Sequence, residues 1–131
     1  MKKKNIIRLI TFVLILTFSM CLFSGCKVSI PENAEIMIRG AKFDYEPLND
    51  EEATTIREIL GGKNTFYDNG LSCPFYEEVS IKIGNDIFMP ACDDCDIVKV
   101  NNSYNISISD GERDKLEQIF ENHGQTFPYL L

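Results

Sequence analysis

Cys73, Cys92 and Cys95, together with His123, the only histidine, are the side chains whose types and spacing best suit chemistry. Three arrangements are open to them. A disulfide from Cys73 to Cys95, or from Cys73 to Cys92, contributes roughly 2–4 kcal/mol to a small domain and leaves one thiol unpaired. Cys92-Asp93-Asp94-Cys95 also reads as a C-x-x-C pair, which is redox-active when a helix N-terminus and nearby cations stabilise the attacking thiolate. Here Asp93, Asp94 and Asp96 put negative charge beside the thiols, no cation is near in sequence, and the motif does not open an amphipathic helix. The third arrangement, zinc held by Cys73, Cys92, Cys95 and His123, has suitable donor atoms but lacks a second paired motif. Calcium at the Asp93, Asp94 and Asp96 cluster lacks the D-x-[DN]-x-[DN]-G spacing. The expected state is a structural bridge, with Cys92 and Cys95 the thiol-redox or metal-binding alternative, and no cofactor is expected.

Catalytic patterns of other kinds are missing from the sequence. There is no G-x-S-x-G, no H-E-x-x-H and no glycine-rich phosphate loop, and a single histidine must serve any acid–base role. Glu51-Glu52 and Glu77-Glu78 are explained by a helix N-terminus and a strand edge, so neither stands out as a catalytic pair. The expectation is a protein without enzymatic activity. The aromatics Phe66, Tyr67, Phe75, Tyr76, Tyr104, Phe127 and Tyr129 suit either a small core without tryptophan or a recognition surface. Residues 67–70 and 128–131 are the places to look for an exposed patch.

The elements that position these groups follow a distinctive start. Lys2, Lys3, Lys4 and Arg8 precede a charge-free apolar run over residues 9–25, at the short limit of the roughly 17–25 residues that span a bilayer. This is the pattern of an export signal. The run ends Leu22-Phe23-Ser24-Gly25-Cys26, which resembles the lipobox of bacterial lipoprotein signal peptides, with Phe23 where an aliphatic residue is more usual. The resemblance implies lipid modification of the Cys26 thiol, removal of residues 1–25, and residence on the extracytoplasmic face of the cell membrane. Cys21, preceded by the bulky Met20, reads as one more apolar residue of the signal. The chain as a whole resembles small surface lipoproteins of low-GC Gram-positive bacteria that have no assigned activity.

Residues 26–34 read as lipid anchor and short tether, and residues 35–131 as a single globular domain. Within it, segments 35–39 and 42–45 read as strands around Gly40. Asn49 then caps a helix with Asp50, Glu51 and Glu52 in its first turn and Ala53, Ile56, Ile59 and Leu60 on one stripe, ended by Gly61-Gly62. Val79, Ile81 and Ile83, a turn at Gly84-Asn85-Asp86 and a return stopped by Pro90 form a hairpin. A second hairpin joins residues 97–100 and 104–108 through Asn101-Asn102. Ser109 and Glu112 make a capping box for a helix with Leu116, Ile119 and Phe120 on its stripe, ended at Gly124. The two helix regions are alike at an offset of sixty residues, each followed by a Thr-Phe pair, a likeness that a duplicated unit would produce but that capping and amphipathic spacing also produce in unrelated helices. The fold class expected is α+β, an antiparallel sheet of hairpins with two amphipathic helices packed on one face.

Charge narrows the partners. The signal takes four of the thirteen basic residues and none of the twenty acidic ones, leaving nine against twenty, a formal charge of −11. Such a domain is repelled by phosphate backbones, which argues against nucleic acid, and by anionic headgroups, so the lipid must hold it to the membrane. Two acyl chains suffice for stable anchoring where one does not. The reading is a membrane-anchored binding or protective domain, with a protein at the cell surface as its partner.

Overall fold

A computed structural model describes residues 3–8, 10–13, 26–67 and 70–127. Most of the apolar run over residues 9–25, with Cys21 and the lipobox-like Leu22-Phe23-Ser24-Gly25, and the C-terminal residues 128–131 lie outside them, as do Asp68 and Asn69. Residues 3–8 and 10–13 are helical and expose Ile6, Ile7, Ile10, Phe12 and Val13 to solvent. No helix among the described residues is long and apolar enough to cross a membrane.

The domain is α+β: a seven-stranded, wholly antiparallel sheet with two capped helices. In chain order these are β1 (Ile36–Arg39), β2 (Tyr45–Pro47), α1 (Asp50–Leu60), β3 (Thr65–Phe66), β4 (Ile81–Ile83), β5 (Asp86–Pro90), β6 (Ile97–Val100), β7 (Tyr104–Ser107) and α2 (Asp110–Asn122). The strands lie in the order β2-β1-β4-β5-β6-β7-β3. Ile38 sits opposite Ile81, Ile81 opposite Phe88, Phe88 opposite Val100, and Val98 opposite Ile106, so one face collects the branched and aromatic side chains. These residues form one core cluster with Ile56, Ile59 and Leu60 of α1 and Leu116, Ile119 and Phe120 of α2, and the two helices touch each other.

Both caps form as the sequence implies. Asn49 accepts from the Glu52 N–H at 2.9 Å, and Ser109 and Glu112 close a reciprocal capping box. Several boundaries differ. The second strand begins at Tyr45 rather than residue 42 because Phe43 has φ 61°, a left-handed conformation costly for a bulky side chain. It is held there by its N–H on the Gly40 carbonyl and by the Arg39 guanidinium on its own carbonyl at 2.7 Å. Pro90 is the last residue of β5, opposite Val98, and not a breaker beyond it. Thr65-Phe66 is a strand against β7, whereas Phe127 packs its ring on Phe120 at 5.6 Å, so the two Thr-Phe pairs play different parts.

The largest departure is at the start of the domain. Residues 26–34 were expected to be a tether, yet Lys27 bridges Asn64, Val28 donates to Lys63 and accepts from Gly62, and the Val28 side chain is 6 % exposed. Arg57 in turn donates to the carbonyls of Pro31 and Ala34. Residues 26–34 are therefore bonded into the folded domain and do not hang from it as a free tether. A two-residue β3 is too short to reveal itself as a strand, so nothing in the sequence pattern offers the segment a partner.

Candidate functional site

Cys73 precedes β4 and Cys95 precedes β6, and their sulfurs are joined in a disulfide with Cα atoms 6.2 Å apart. The bridge staples the open end of the β4–β5 hairpin, one of the two pairings open from sequence. Beside it the Cys92 N–H donates to the Pro74 carbonyl at 2.9 Å, tying the same two segments by backbone. Cys92 itself is buried in the core cluster with a free thiol. Burial pushes that thiol up to about 11, and Asp93 adds to the effect against a hydrogen bond from the Tyr76 backbone.

This arrangement removes the C-x-x-C reading: Cys95 is bonded to Cys73, so Cys92 and Cys95 do not form a dithiol. The zinc set is not assembled either, because His123 faces Glu46 and Glu52 and not the cysteines. Among the described residues, the grouping with metal-ligand potential is Cys73, Asp93 and Cys95. Its two sulfurs are already bonded to each other and are not thiolates. The aspartates serve the loop instead. Asp93 accepts from the Cys95 N–H at 3.0 Å, and Arg113 of α2 donates to the Asp94 carbonyl and the Asp96 carboxylate, both at 2.7 Å. A hydrogen bond with Asp110, and then burial, hold Asp96 above the usual carboxylate value against the pull of Arg113. The cation that sequence proximity missed thus comes from a helix seventeen residues further on.

His123, at the C-cap of α2, is gripped from both sides. Its Nδ1 meets Glu46 of β2 and its Nε2 meets Glu52 of α1 at 3.1 Å, and Asn122 donates to Glu52 as well. Burial pulls the imidazole pKa down, but the two carboxylates outweigh it and hold the ring above its usual value. Burial likewise pushes Glu52 up, and its bonds to His123 and Asn122 bring it below the usual glutamate value. With a carboxylate at each ring nitrogen, the ring serves best as an imidazolium donating twice, which leaves no lone pair to act as a general base. Two residues on, the buried Gln125 donates to the carbonyls of Arg39, Gly40 and Glu78, fixing the chain after α2 to β1. No motif marked this second clasp.

A groove of about 530 Å³ opens between the helices beside this cluster, lined by Glu51, Glu52, Thr55, Asp114 and Gln118 among others. On the opposite face of the sheet stand Arg39, Lys82 and Lys99. Arg39 and Lys82 lie over the Tyr45 ring at 5.6 and 5.8 Å, and Lys99 over Phe75 at 4.6 Å. Phe66, Phe75, Tyr76, Tyr104 and Phe127 are all half-buried, whereas Tyr67 is 77 % exposed. Cys26 is exposed with a free thiol. Comparison with protein-family models, with curated proteins and with solved structures found no match.

Proposed function

We propose that this chain is a lipid-anchored protein of the extracytoplasmic membrane face, modified at Cys26, whose domain is a non-catalytic binding or protective module for a protein at the cell surface. The observation that carries this reading is the position of Cys26: an exposed, free thiol directly after the lipobox-like Leu22-Phe23-Ser24-Gly25 in the sequence. The Cys73–Cys95 disulfide supports it, since such bridges persist in oxidising compartments. The lack of catalysis is supported by the doubly engaged His123 and the buried, high-pKa Cys92. The acidic domain offers phosphate backbones no field to follow, and its sheet-face cations lie on aromatic rings.

The test is intact mass, thiol count and fractionation of the full chain expressed in a bacterium that processes lipoproteins. The expected result is a mature species starting at Cys26 with a diacylglyceryl mass, in the membrane fraction, with Cys92 titrating only on unfolding. Cys26→Ser should lose the lipid and leave the membrane fraction. A mature Cys26 without lipid, or a native protein with reactive Cys92 and Cys95 or bound zinc, would overturn the reading.

A further inference from the structure

If Cys26 carries the lipid, nothing flexible separates the lipid from the sheet. The Cys26 carbonyl accepts from both the N–H and the hydroxyl of Thr65, each at 3.0 Å. The Lys27–Asn64 bridge continues the pairing, and Val28 completes it with Lys63 and Gly62. Lys63 is itself clamped by Glu112 of α2, with its ammonium 2.7 Å from both carboxylate oxygens. The residue that would bear the lipid is thus hydrogen-bonded directly to the edge strand β3.

The antiparallel register sets Cys26 opposite Thr65 and its amino group on the side of Tyr67. At about 3.3 Å per residue along a strand and about 4.8 Å between strands, the Tyr67 backbone stands roughly 8 Å from that of Cys26. The Tyr67 ring, 77 % exposed, meets Tyr104 edge-on with centroids 6.4 Å apart. An aromatic ring with a polar tip suits the headgroup level of a bilayer. In the domain, the other exposed large hydrophobic side chain among the described residues is Phe43, on the β1–β2 hairpin. Six inter-strand steps separate that hairpin from residues 26–28, about 25–30 Å across the sheet. The domain's net negative charge disfavours lying flat on anionic lipid, which restricts contact to the corner nearest the anchor, where Lys27 is exposed.

We propose that the leaflet holding the Cys26 lipid is also the docking partner of this corner: the domain stands on the bilayer by the edge formed from residues 26–28 and β3, with the Tyr67 ring among the headgroups and the Phe43 hairpin held away. The inference rests on the lipid-anchor reading above and adds an orientation to it.

The chain contains no tryptophan, so single reporters can be placed in it. Full-length Tyr67→Trp and Phe43→Trp chains, processed in a lipoprotein-producing bacterium, are reconstituted in phosphatidylcholine–phosphatidylglycerol vesicles containing lipid brominated near the headgroup. The mass of Cys26 is verified first. The expected result is blue-shifted emission that loses more than half its intensity to bromine for Tyr67→Trp, and unshifted, unquenched emission for Phe43→Trp. A flexible Gly/Ser insert between Cys26 and Lys27 should abolish the difference. Lipid present on Cys26 with both reporters unquenched, or both quenched alike, overturns the orientation and leaves the anchor standing. Absence of lipid on Cys26 overturns both.

Discussion

The Cys73–Cys95 bridge and the His123 clasp hold the same domain together at two places by unlike chemistry. The bridge joins the segment before β4 to the segment before β6 and is indifferent to pH. The clasp joins the end of α2 to β2 and α1 and is indifferent to redox conditions, but its strength follows the protonation of His123 and Glu52. The hairpin at the centre of the sheet is thereby secured by a covalent bond and the end of α2 by ions. Reductant therefore acts on the flanks of the central hairpin, and the titration of His123 and Glu52 on the end of α2.

Cutting the bridge should have the larger effect. Cys73→Ala, Cys95→Ala and reduction each open a loop with a sequence separation of 22, and the chain-entropy relation puts the loss at about 3 kcal/mol. Denaturant titration of the oxidised and reduced domain checks this, and the loss should be the same at pH 5 and pH 8. Unequal losses at the two pH values would show that the regions are coupled.

His123→Gln should cost less, about 1–2 kcal/mol for two charge-assisted bonds at a partly exposed site, and its cost should depend on pH. Because the imidazole pKa is raised in the folded state, its contribution is complete below the ordinary value of 6.5 and fades as pH rises through the folded value. Glu52, lowered when folded, contributes above the ordinary value of 4.5, and its share fades as pH falls through the folded value. The clasp is therefore strongest between those two ordinary values. Urea midpoints of native and His123→Gln domains across pH 3–9 should diverge most there and converge at alkaline pH. A cost that is flat with pH would mean that the ring is held by packing alone.

The smallest effect is at the capping box. Ser109→Ala should lose about 1 kcal/mol, measured by thermal unfolding, because Ser109 satisfies the Glu112 N–H and receives its carboxylate in return. The loss should be unchanged by reductant, since among the described residues α2 meets the loop at Asp94 and Asp96 through Arg113 and Asp110 and not through Ser109.

How legible these regions were in the sequence follows from how local their determinants are. Caps, stripes and hairpin turns depend on residues three to five apart, and α1, α2, β4 through β7 and the sheet type could all be read. The bridge was legible as one of two pairings because a hairpin places its flanks side by side. The His123 clasp was not, because Glu46 and Glu52 lie 77 and 71 residues away and only the tertiary fold brings them to the ring. β3 and the pairing of residues 26–28 were missed for a similar reason. Neither segment alternates over enough residues to form a strand signal: β3 is extended because it lies against β7, and residues 26–28 because they lie against β3.

That last pairing has a consequence for how the molecule meets its own copies. A strand left unpaired at the border of a sheet is a template for aggregation. At one border, the chain's own residues 26–28 occupy the hydrogen-bonding positions of β3 that a foreign strand would take. At the other, β2 is three residues long and ends in an exposed Glu46 and in Pro47, which has no N–H to donate. A second copy of the domain thus meets two borders of the sheet that are already blunted against strand addition.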